Sequence, residues 1–310
     1  MIGVANPTSS RRLIVDADLD TLATALYVRV DDLLKSEPGR SPCRPRVGIA
    51  PKISDAELVT LAVMQALLGH ASESRWLRYA RAHLHALFPY LPQQPGYNKR
   101  LRALAATMNW LIGVLARDTS VWTDDVWVVD STPVECGRSL DTVRRSQLAE
   151  VAGYGYSKSH SRWFWGMRLH LACAPDGTPR AAALVAADRP ERETALRLLP
   201  QALQGGETII CDKGYAGAEF HAAVAELGAT LLRPPRRDEP QQGPHLAPIR
   251  QRIESVFFTC KDLLTLERHG ARTPRNLFAR IATRLLALAA CISLNHKLGR
   301  PSRALADYTA

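Results

Sequence analysis

The chain has no paired cysteines and no long apolar run, and it has fewer acidic than basic residues. Its six cysteines occur singly, without a C-x-x-C pair, which argues against structural zinc and is typical of reduced thiols in the cytoplasm. The longest apolar run, residues 285–294, is too short to cross a bilayer. No apolar stretch follows the arginines near the N-terminus. We therefore expect a cytoplasmic protein with no membrane segment.

The deficit of acidic residues leaves a strongly basic protein. Lys and Arg number 40 against 30 for Asp and Glu, which gives a formal net charge of +10 and a pI near 9.6. An excess of this size favours a polyanionic partner, either nucleic acid or an anionic membrane face. The alternative is a solvated basic surface without a specific partner.

The first third of the chain is predicted to be helical. Residues 1–17 are polar and are predicted to form a flexible tail, and residues 18–120 form a helical N-terminal region. A basic, proline-rich connector covers residues 37–52. Ser54 and Glu57 have the spacing of a capping box, and further helices are predicted near residues 72–88 and 98–116. Such a set of short helices suits a helix-turn-helix-like DNA-binding module or, equally, a packing or dimerisation domain.

The pattern changes after residue 120. Apolar runs predict strands at residues 126–130, 163–174, 179–187, 207–212 and 229–232, with helices between and after the later strands. Residues 135–161 and 234–249 have no clear period and are predicted to be loops. The order βββαβαβαα is that of an RNase H-like fold. We expect an α/β catalytic domain over residues 121–300, with a mixed five-stranded sheet and flanking helices, and a tail at 301–310.

Three acidic residues have positions that suit metal binding. Asp130 follows the apolar run 126–129, Asp212 follows the run 208–211, and Glu254 lies in a predicted helix. A carboxylate at the end of a buried strand is costly unless it has a partner. In the predicted fold the first and fourth strands are neighbours, about 4.8 Å apart. We therefore expect the three residues to share a divalent metal, although each Asp alone is also a common turn or cap residue.

The predicted helix places two cations beside Glu254. Arg250 precedes Glu254 by four residues and Lys261 follows it by seven, so all three lie within about 40° on one face. The opposite face is predicted to dock on the sheet and carries Ile253, Val256, Cys260 and Leu263 or Leu264. A carboxylate between two cations suits a site for metal and phosphate. The alternative is a surface ion pair that contributes about 0.3 kcal/mol.

These motifs resemble those of DDE transposases from bacterial insertion sequences. The resemblance covers about residues 50–297. It rests on Val129-Asp130-Ser131-Thr132-Pro133, on Asp212-Lys213-Gly214-Tyr215 and on Arg250-x-x-x-Glu254-(six)-Lys261. The last is similar to a Tyr-x-x-Arg-x-x-x-Glu-(six)-Lys signature, but Ala247 stands where that signature has Tyr. Residues 159–166 and 266–272 resemble the insertion-sequence nine-eighty-two group in particular.

The resemblance implies an activity and its cofactor. Asp130, Asp212 and Glu254 would hold Mg²⁺, with Mn²⁺ as a substitute, and two ions would act together. The enzyme would cut double-stranded DNA at the terminal inverted repeats of its element. The freed 3′-hydroxyl would then attack target DNA. Arg250 and Lys261 would contact phosphate, and a homodimer would bring the two ends together near the nucleoid.

Other basic residues are candidates for contact with the DNA backbone. Lys213 directly follows the second Asp, although a solvated turn lysine is an equal alternative. A basic stretch before the second strand contains Arg144, Arg145, Lys158, His160 and Arg162, and it is followed by the aromatic residues 163–165. Arg233, Arg236 and Arg237 lie on the predicted loop. Trp165 is expected in the core, Tyr215 in the packing of its turn, and His170 in a satisfied strand position. Glu191 and Glu193 are a possible further acidic element, but charge at a helix N-terminus is favoured.

Two alternative functions remain open from the sequence. The first is an RNase H-like metal-dependent nuclease that hydrolyses DNA without strand transfer. The second is a catalytically inactive DNA-binding derivative, against which the intact set of acidic residues argues. Detection of strand joining separates the first alternative from a transposase, and metal-independent binding without nicking would favour the second.

Overall fold

A computed structural model describes residues 18–43, 50–157, 161–236, 239–240 and 246–309. Over these residues the chain forms a mixed α/β fold that begins with a helical region. The helices of that region are α1 (Leu19–Ser36), α2 (Asp55–Leu67), α3 (Glu73–His83), α4 (Gln94–Ala103) and α5 (Ala105–Arg117). The later helices are α6 (Leu140–Arg145), α7 (Glu191–Leu198), α8 (Ala218–Glu226), α9 (Ala247–Asp262) and α10 (Pro274–Leu298). The strands are β1 (Val126–Gly137), β2 (Gly153–Ser157), β3 (Arg162–Cys173), β4 (Pro179–Ala186), β5 (Thr208–Ile210) and β6 (Thr230–Leu232).

The strand order confirms the RNase H-like fold class. β1 pairs with β3 in antiparallel and with β5 in parallel, and β6 extends the sheet beyond β5. The far edge of β3 pairs with β2 along its first half and with β4 along its second half. The predicted first and fourth strands, β1 and β5, are therefore neighbours as expected. The parallel strands β5 and β6 each follow a helical crossover, as parallel pairing requires.

The extra strand β2 corrects the prediction of a long loop over residues 135–161. This segment contains the end of β1, α6, a 3-10 turn and β2, so the described sheet has six strands rather than five. β1 also continues to Gly137, so Asp130 lies within the strand and does not end it. After Val128, β1 has a partner on one side only. Pro133, which lacks a backbone N–H, is tolerated in this one-sided part of β1.

The sheet separates two apolar layers. On one face Val128, Val134 and Leu169 pack with α9, α10 and the N-terminal helices in a single core cluster. On the other face Trp127 and Val129 pack with α7 and α8 in a second, smaller cluster. Alternation of side chains along β1 produces this division. Because the larger cluster contains residues from both regions, the helical region and the sheet share one hydrophobic core.

The helical region differs in detail from its prediction. The capping box is confirmed: Ser54 Oγ accepts from the Glu57 amide and Glu57 Oε2 accepts from the Ser54 amide. The second predicted helix ends early, at His83, and the third divides at Leu104 into α4 and α5. The α10 segment is long and apolar enough to cross a membrane, but 89% of its most apolar window is buried inside the fold. That burial is the pattern of a core helix, around which α2 and α5 pack.

Candidate functional site

The two aspartates lie where β1 and β5 separate. The last residue pair that joins the strands is Val128 with Ile210, and Asp130 and Asp212 each lie two residues beyond it. Asp212 caps a 3-10 turn, where its Oδ1 accepts from the Lys213 amide at 2.6 Å. Asp130 Oδ1 accepts from the Ser131 amide at 2.7 Å. The fold thus places the two carboxylates at the point where β1 and β5 stop pairing, which we call the aspartate junction.

Loss of hydration and nearby acids raise the pKa of the Asp130 carboxyl above its ordinary value. Desolvation raises the pKa of Asp130 to about 7, and the negative charges of Asp212 and Glu191 contribute in the same direction. The Ser131 amide and the more distant Arg250 lower the pKa, but by less. Asp130 forms no ion pair with any described residue. It is therefore a half-buried, largely desolvated acid whose ionised form would be stabilised by an added cation.

The helix α9 is attached to this junction by an ion pair. Arg250 Nη2 lies 3.1 Å from Asp212 Oδ1, and both side chains are partly exposed. The predicted docking face of α9 is confirmed, because Ile253, Val256 and Cys260 are buried against the sheet. Arg250, at the margin of the buried face of α9, therefore contacts Asp212.

Glu254 lies one helical turn beyond Arg250, about 6 Å further along the axis. Its side chain is exposed and makes no hydrogen bond or ion pair with the part of the chain that the structure describes. Among those residues no group of three His, Cys, Asp or Glu side chains is arranged to hold a metal ion. The structure therefore brings Asp130 and Asp212 together and leaves Glu254 apart. Carboxylates repel one another unless a cation lies among them, so electrostatics favours an exposed Glu254 in the protein alone.

Glu191 is a third carboxylate at the junction, and its role there was not expected. It lies in the first turn of α7, as predicted, but its Oε1 accepts from Ser131 Oγ at 2.8 Å and from Arg168 Nη1 at 3.0 Å. A Cβ added to Gly214 would lie 3.7 Å from Glu191 Oε2, so this carboxylate faces the turn that follows Asp212. Glu193 instead forms an exposed pair with Arg197. In the sequence, the signal for Glu191 is its place at the start of a predicted helix. Glu193 shares that place, so the sequence does not show which of the two acids reaches the aspartate junction.

The predicted phosphate-contacting residues occupy varied positions. Lys261 Nζ lies 2.9 Å from Glu267, and Arg162 pairs with Glu135 at 3.1 Å. Lys213 is exposed beside Asp212, and Arg236 is exposed with its backbone amide bonded to Glu239. The other basic residues of the predicted stretch, Arg144 and Arg145, lie exposed on α6. Lys158, His160 and Arg237 lie outside the described residues.

Two buried polar side chains near the junction have no hydrogen-bond partner among the described atoms. His170, opposite Ser131 in the sheet, is fully buried with both ring nitrogens unpaired, so the expectation of a satisfied histidine is wrong. Burial lowers the pKa of His170 to about 4, which keeps the ring neutral. Tyr215 packs on Phe220 as expected, but its hydroxyl is unpaired and its pKa is raised by burial. Trp165 is buried, which confirms its place in the core.

The geometry agrees with a comparison to known families. The family model for the transposase DDE domain matches residues 122–290, which is more than half of the 310 residues. The chain therefore belongs to the transposase DDE domain family. The match begins just before β1 and ends within α10, so it includes both aspartates, Glu191 and Glu254. No curated protein matches the chain significantly.

The donor set fits the divalent metal that the family generally uses. Asp130 and Asp212 offer carboxylate oxygens, the ligand type that Mg²⁺ and Mn²⁺ prefer. The half-buried Asp130 carboxyl accepts one hydrogen bond and forms no ion pair with the described residues, so it has capacity for a cation. The side chains at this junction include no thiol donor, because burial raises the pKa of Cys211 far above its usual range.

Proposed function

We propose that this chain is a DNA transposase that cuts DNA at the terminal inverted repeats of its insertion sequence and joins the freed 3′-hydroxyl to target DNA. Membership of the transposase DDE domain family supports a transposase function with DNA as the substrate. The observation that carries the finer proposal is the pair of carboxylates, Asp130 and Asp212, beside the Arg250 guanidinium. We further propose that the chain belongs to the insertion-sequence nine-eighty-two group and works in the cytoplasm, at the nucleoid.

Asp130, Asp212 and Glu254 are the residues that we propose as metal ligands. A bound pair of divalent ions would activate the attacking oxygen and stabilise the leaving oxygen. The side chains of the protein position the reacting groups. Asp130 must lose its proton to act as a ligand, and Arg250 holds Asp212 in place. Glu254, which is exposed in the protein alone, would have to turn toward the aspartates to complete the site.

Basic residues around the junction would bind the DNA backbone. Arg250 has further N–H groups beyond the one near Asp212, and guanidinium groups suit phosphate oxygens. Lys213 is exposed one residue after Asp212. Lys261 would have to exchange its Glu267 partner for phosphate. Phosphate contacts of this kind should make DNA affinity fall steeply with salt. We propose that two copies of the chain act together, because two DNA ends must meet.

The proposal is tested by cleavage of duplexes that carry the DNA ends flanking the gene. In Mg²⁺ the wild type should nick the 3′ end of the element and then produce joined strands with a target duplex. Asp130→Asn should lower the nicking rate by at least about 10³-fold, because one ligand of the metal pocket is lost. Glu193→Gln, which removes an exposed acid from the same region, should cut like the wild type. Nicking without joined products would support the hydrolytic nuclease, and equal cutting by Asp130→Asn would refute the site.

A further inference from the structure

Three aromatic side chains lie exposed on the strand pair formed by β2 and the beginning of β3. Trp163, Tyr154 and Tyr156 are 68%, 51% and 42% exposed. Tyr156 is opposite Trp163 in the antiparallel register, and Tyr154 is opposite Trp165. Directly opposite residues lie on the same sheet face, and so do residues two apart along a strand. The three exposed rings therefore lie on one face, where Tyr156 and Trp163 are in contact with ring centroids 5.5 Å apart, and we call these three side chains the aromatic platform.

The platform borders a pocket of about 520 Å³ with charged residues at its rim. Tyr154, Trp163 and Trp165 line the pocket together with Arg138 and Arg162. Both arginines share a single carboxylate, that of Glu135, at 3.4 Å and 3.1 Å. The described side chains that line the pocket therefore carry two positive charges and one negative charge. Aromatic faces beside guanidinium groups suit a ligand with flat rings and negative charge.

The strand that carries the two tyrosines is held rigidly. A Cβ on Gly155 would lie 2.7 Å from the Ala187 carbonyl oxygen, and one on Gly153 would lie 2.7 Å from the Asp188 carboxylate. Only glycine permits so close an approach of β2 to this turn. Arg168 Nη2 also donates to the Tyr156 carbonyl at 3.1 Å. The same guanidinium binds Glu191, so from the sheet face opposite the platform rings it joins the β2 backbone to α7.

The platform and Asp130 face the same side of the sheet. Asp130 is opposite Leu171, and Trp163 precedes Leu171 by eight residues on β3. An even separation keeps both on one face, and at about 3.3 Å per residue the distance along the strand is about 26 Å. Nucleotides in a duplex strand are spaced by about 3.4 Å, so this distance corresponds to about eight of them. Met167, Leu169 and Leu171, which lie between them on this face, are buried beneath the helices, so a DNA strand that reaches both the junction and the platform must pass over the outer surface rather than along the sheet.

We propose that the aromatic platform stacks unpaired bases of the DNA strand whose phosphodiester lies at Asp130 and Asp212. This inference rests on the proposed function for the identity of the substrate. Single strands bind where aromatic side chains stack on bases and cations follow the backbone. In a duplex the base faces are stacked on one another, so the rings of the platform are available only to bases that have left the helix.

The test compares single-stranded and duplex binding with matched variants. Binding of the full chain to a 12-nucleotide oligothymidylate and to a blunt 12-base-pair duplex is measured in EDTA at low salt. Trp163→Ala and Tyr156→Ala should each weaken single-strand binding by about tenfold or more and change duplex binding by less than about twofold. Trp163→Phe should restore most of the affinity because it retains a stacking face. Phe278→Ala, which removes a 39% exposed ring on α10, is the control and should have no effect.

The outcomes separate this inference from the cleavage proposal, because the binding measurement requires neither metal nor DNA cleavage. Preferential loss of single-strand binding supports the platform even if the wild type never cuts DNA. Unchanged single-strand affinity, or equal losses for both ligands, overturns it. Dissociation of a homodimer by Trp163→Ala without a single-strand defect would show that a second copy covers the rings, and this outcome also overturns it. Equal thermal unfolding of the variants and the wild type excludes general misfolding.

Discussion

The Arg250 guanidinium lies 3.1 Å from the Asp212 carboxylate, and this ion pair joins α9 to the turn after β5. The apolar face of α9 with Ile253, Val256 and Cys260 docks the helix, and Arg250 lies at the margin of that face. Glu254 is 40° further round the helix than Arg250 and about 6 Å further along its axis, and its carboxylate is in solvent.

Replacement of Arg250 should impair cleavage far more than stability. Arg250→Ala removes the partner of Asp212 and one candidate phosphate ligand, so we expect the cleavage rate to fall by about 10²-fold. Loss of a partly exposed ion pair should cost under about 1 kcal/mol in the free energy of unfolding. Arg250→Lys should recover part of the rate. The matched control is Arg252→Ala on the exposed face of the same helix. Equal losses of cleavage rate at both positions would contradict a role for Arg250 at the aspartates.

Asp130 should make the metal-free protein less stable as the pH rises. Its folded pKa of about 7 exceeds the ordinary value of 3.8, so the folded protein retains a proton that the unfolded chain loses between those values. This contribution is complete below about pH 4 and is lost as the pH rises through 7. Asp130→Asn should therefore be more stable than the wild type at pH 8 in EDTA, by on the order of 1 to 3 kcal/mol. Urea unfolding at pH 4.5 and pH 8 measures the difference, which should nearly vanish at the lower pH.

Glu191 should influence the titration of Asp130. Its negative charge is one cause of the raised pKa of Asp130, so Glu191→Gln should lower that pKa and move the loss of stability to lower pH. Glu193→Gln is the matched control, since that acid pairs with Arg197 at the surface. Carboxyl-labelled NMR of Asp130 reports the titration directly. A titration midpoint that does not change in Glu191→Gln would show that the two carboxylates do not interact.

The contact between α3 and α10 should make the helical region inseparable from the catalytic fold. Glu73 is 3% exposed and accepts from Arg280 Nη2 at 2.7 Å and from Asn98 Nδ2 at 2.9 Å. Glu73→Ala leaves a largely buried cation without its partner, so we expect a cost of about 3 kcal/mol. Glu193→Ala should cost under about 0.5 kcal/mol. Chemical unfolding should remain a single transition, and separate transitions for the two regions would contradict a shared core.

The sequence was sufficient to predict the elements whose pattern is local. Apolar runs located β1 and β5, and with them Asp130 and Asp212, because each run ends in a charge. The buried face of α9 followed from the 3.6-residue period. β2 could not be predicted, since residues 153–157 alternate Gly with Tyr and are held by contacts with Ala187 and Asp188. Glu191 was undervalued because its partner Ser131 lies 60 residues away. Contacts between residues so far apart along the chain leave no periodic pattern in the sequence.

The central claim is that Asp130, Asp212 and Glu254 meet at one metal pocket. Iron-directed backbone cleavage tests it most directly: Fe²⁺ takes the place of Mg²⁺, hydrogen peroxide oxidises it to give a hydroxyl radical that cuts the chain beside the metal, and ascorbate reduces the Fe³⁺ back to Fe²⁺. We expect cuts near residues 130, 212 and 254, suppressed by excess Mg²⁺ and absent from Asp130→Asn. Cuts near 130 and 212 together with 191, and none near 254, would contradict the account and assign the third ligand to Glu191.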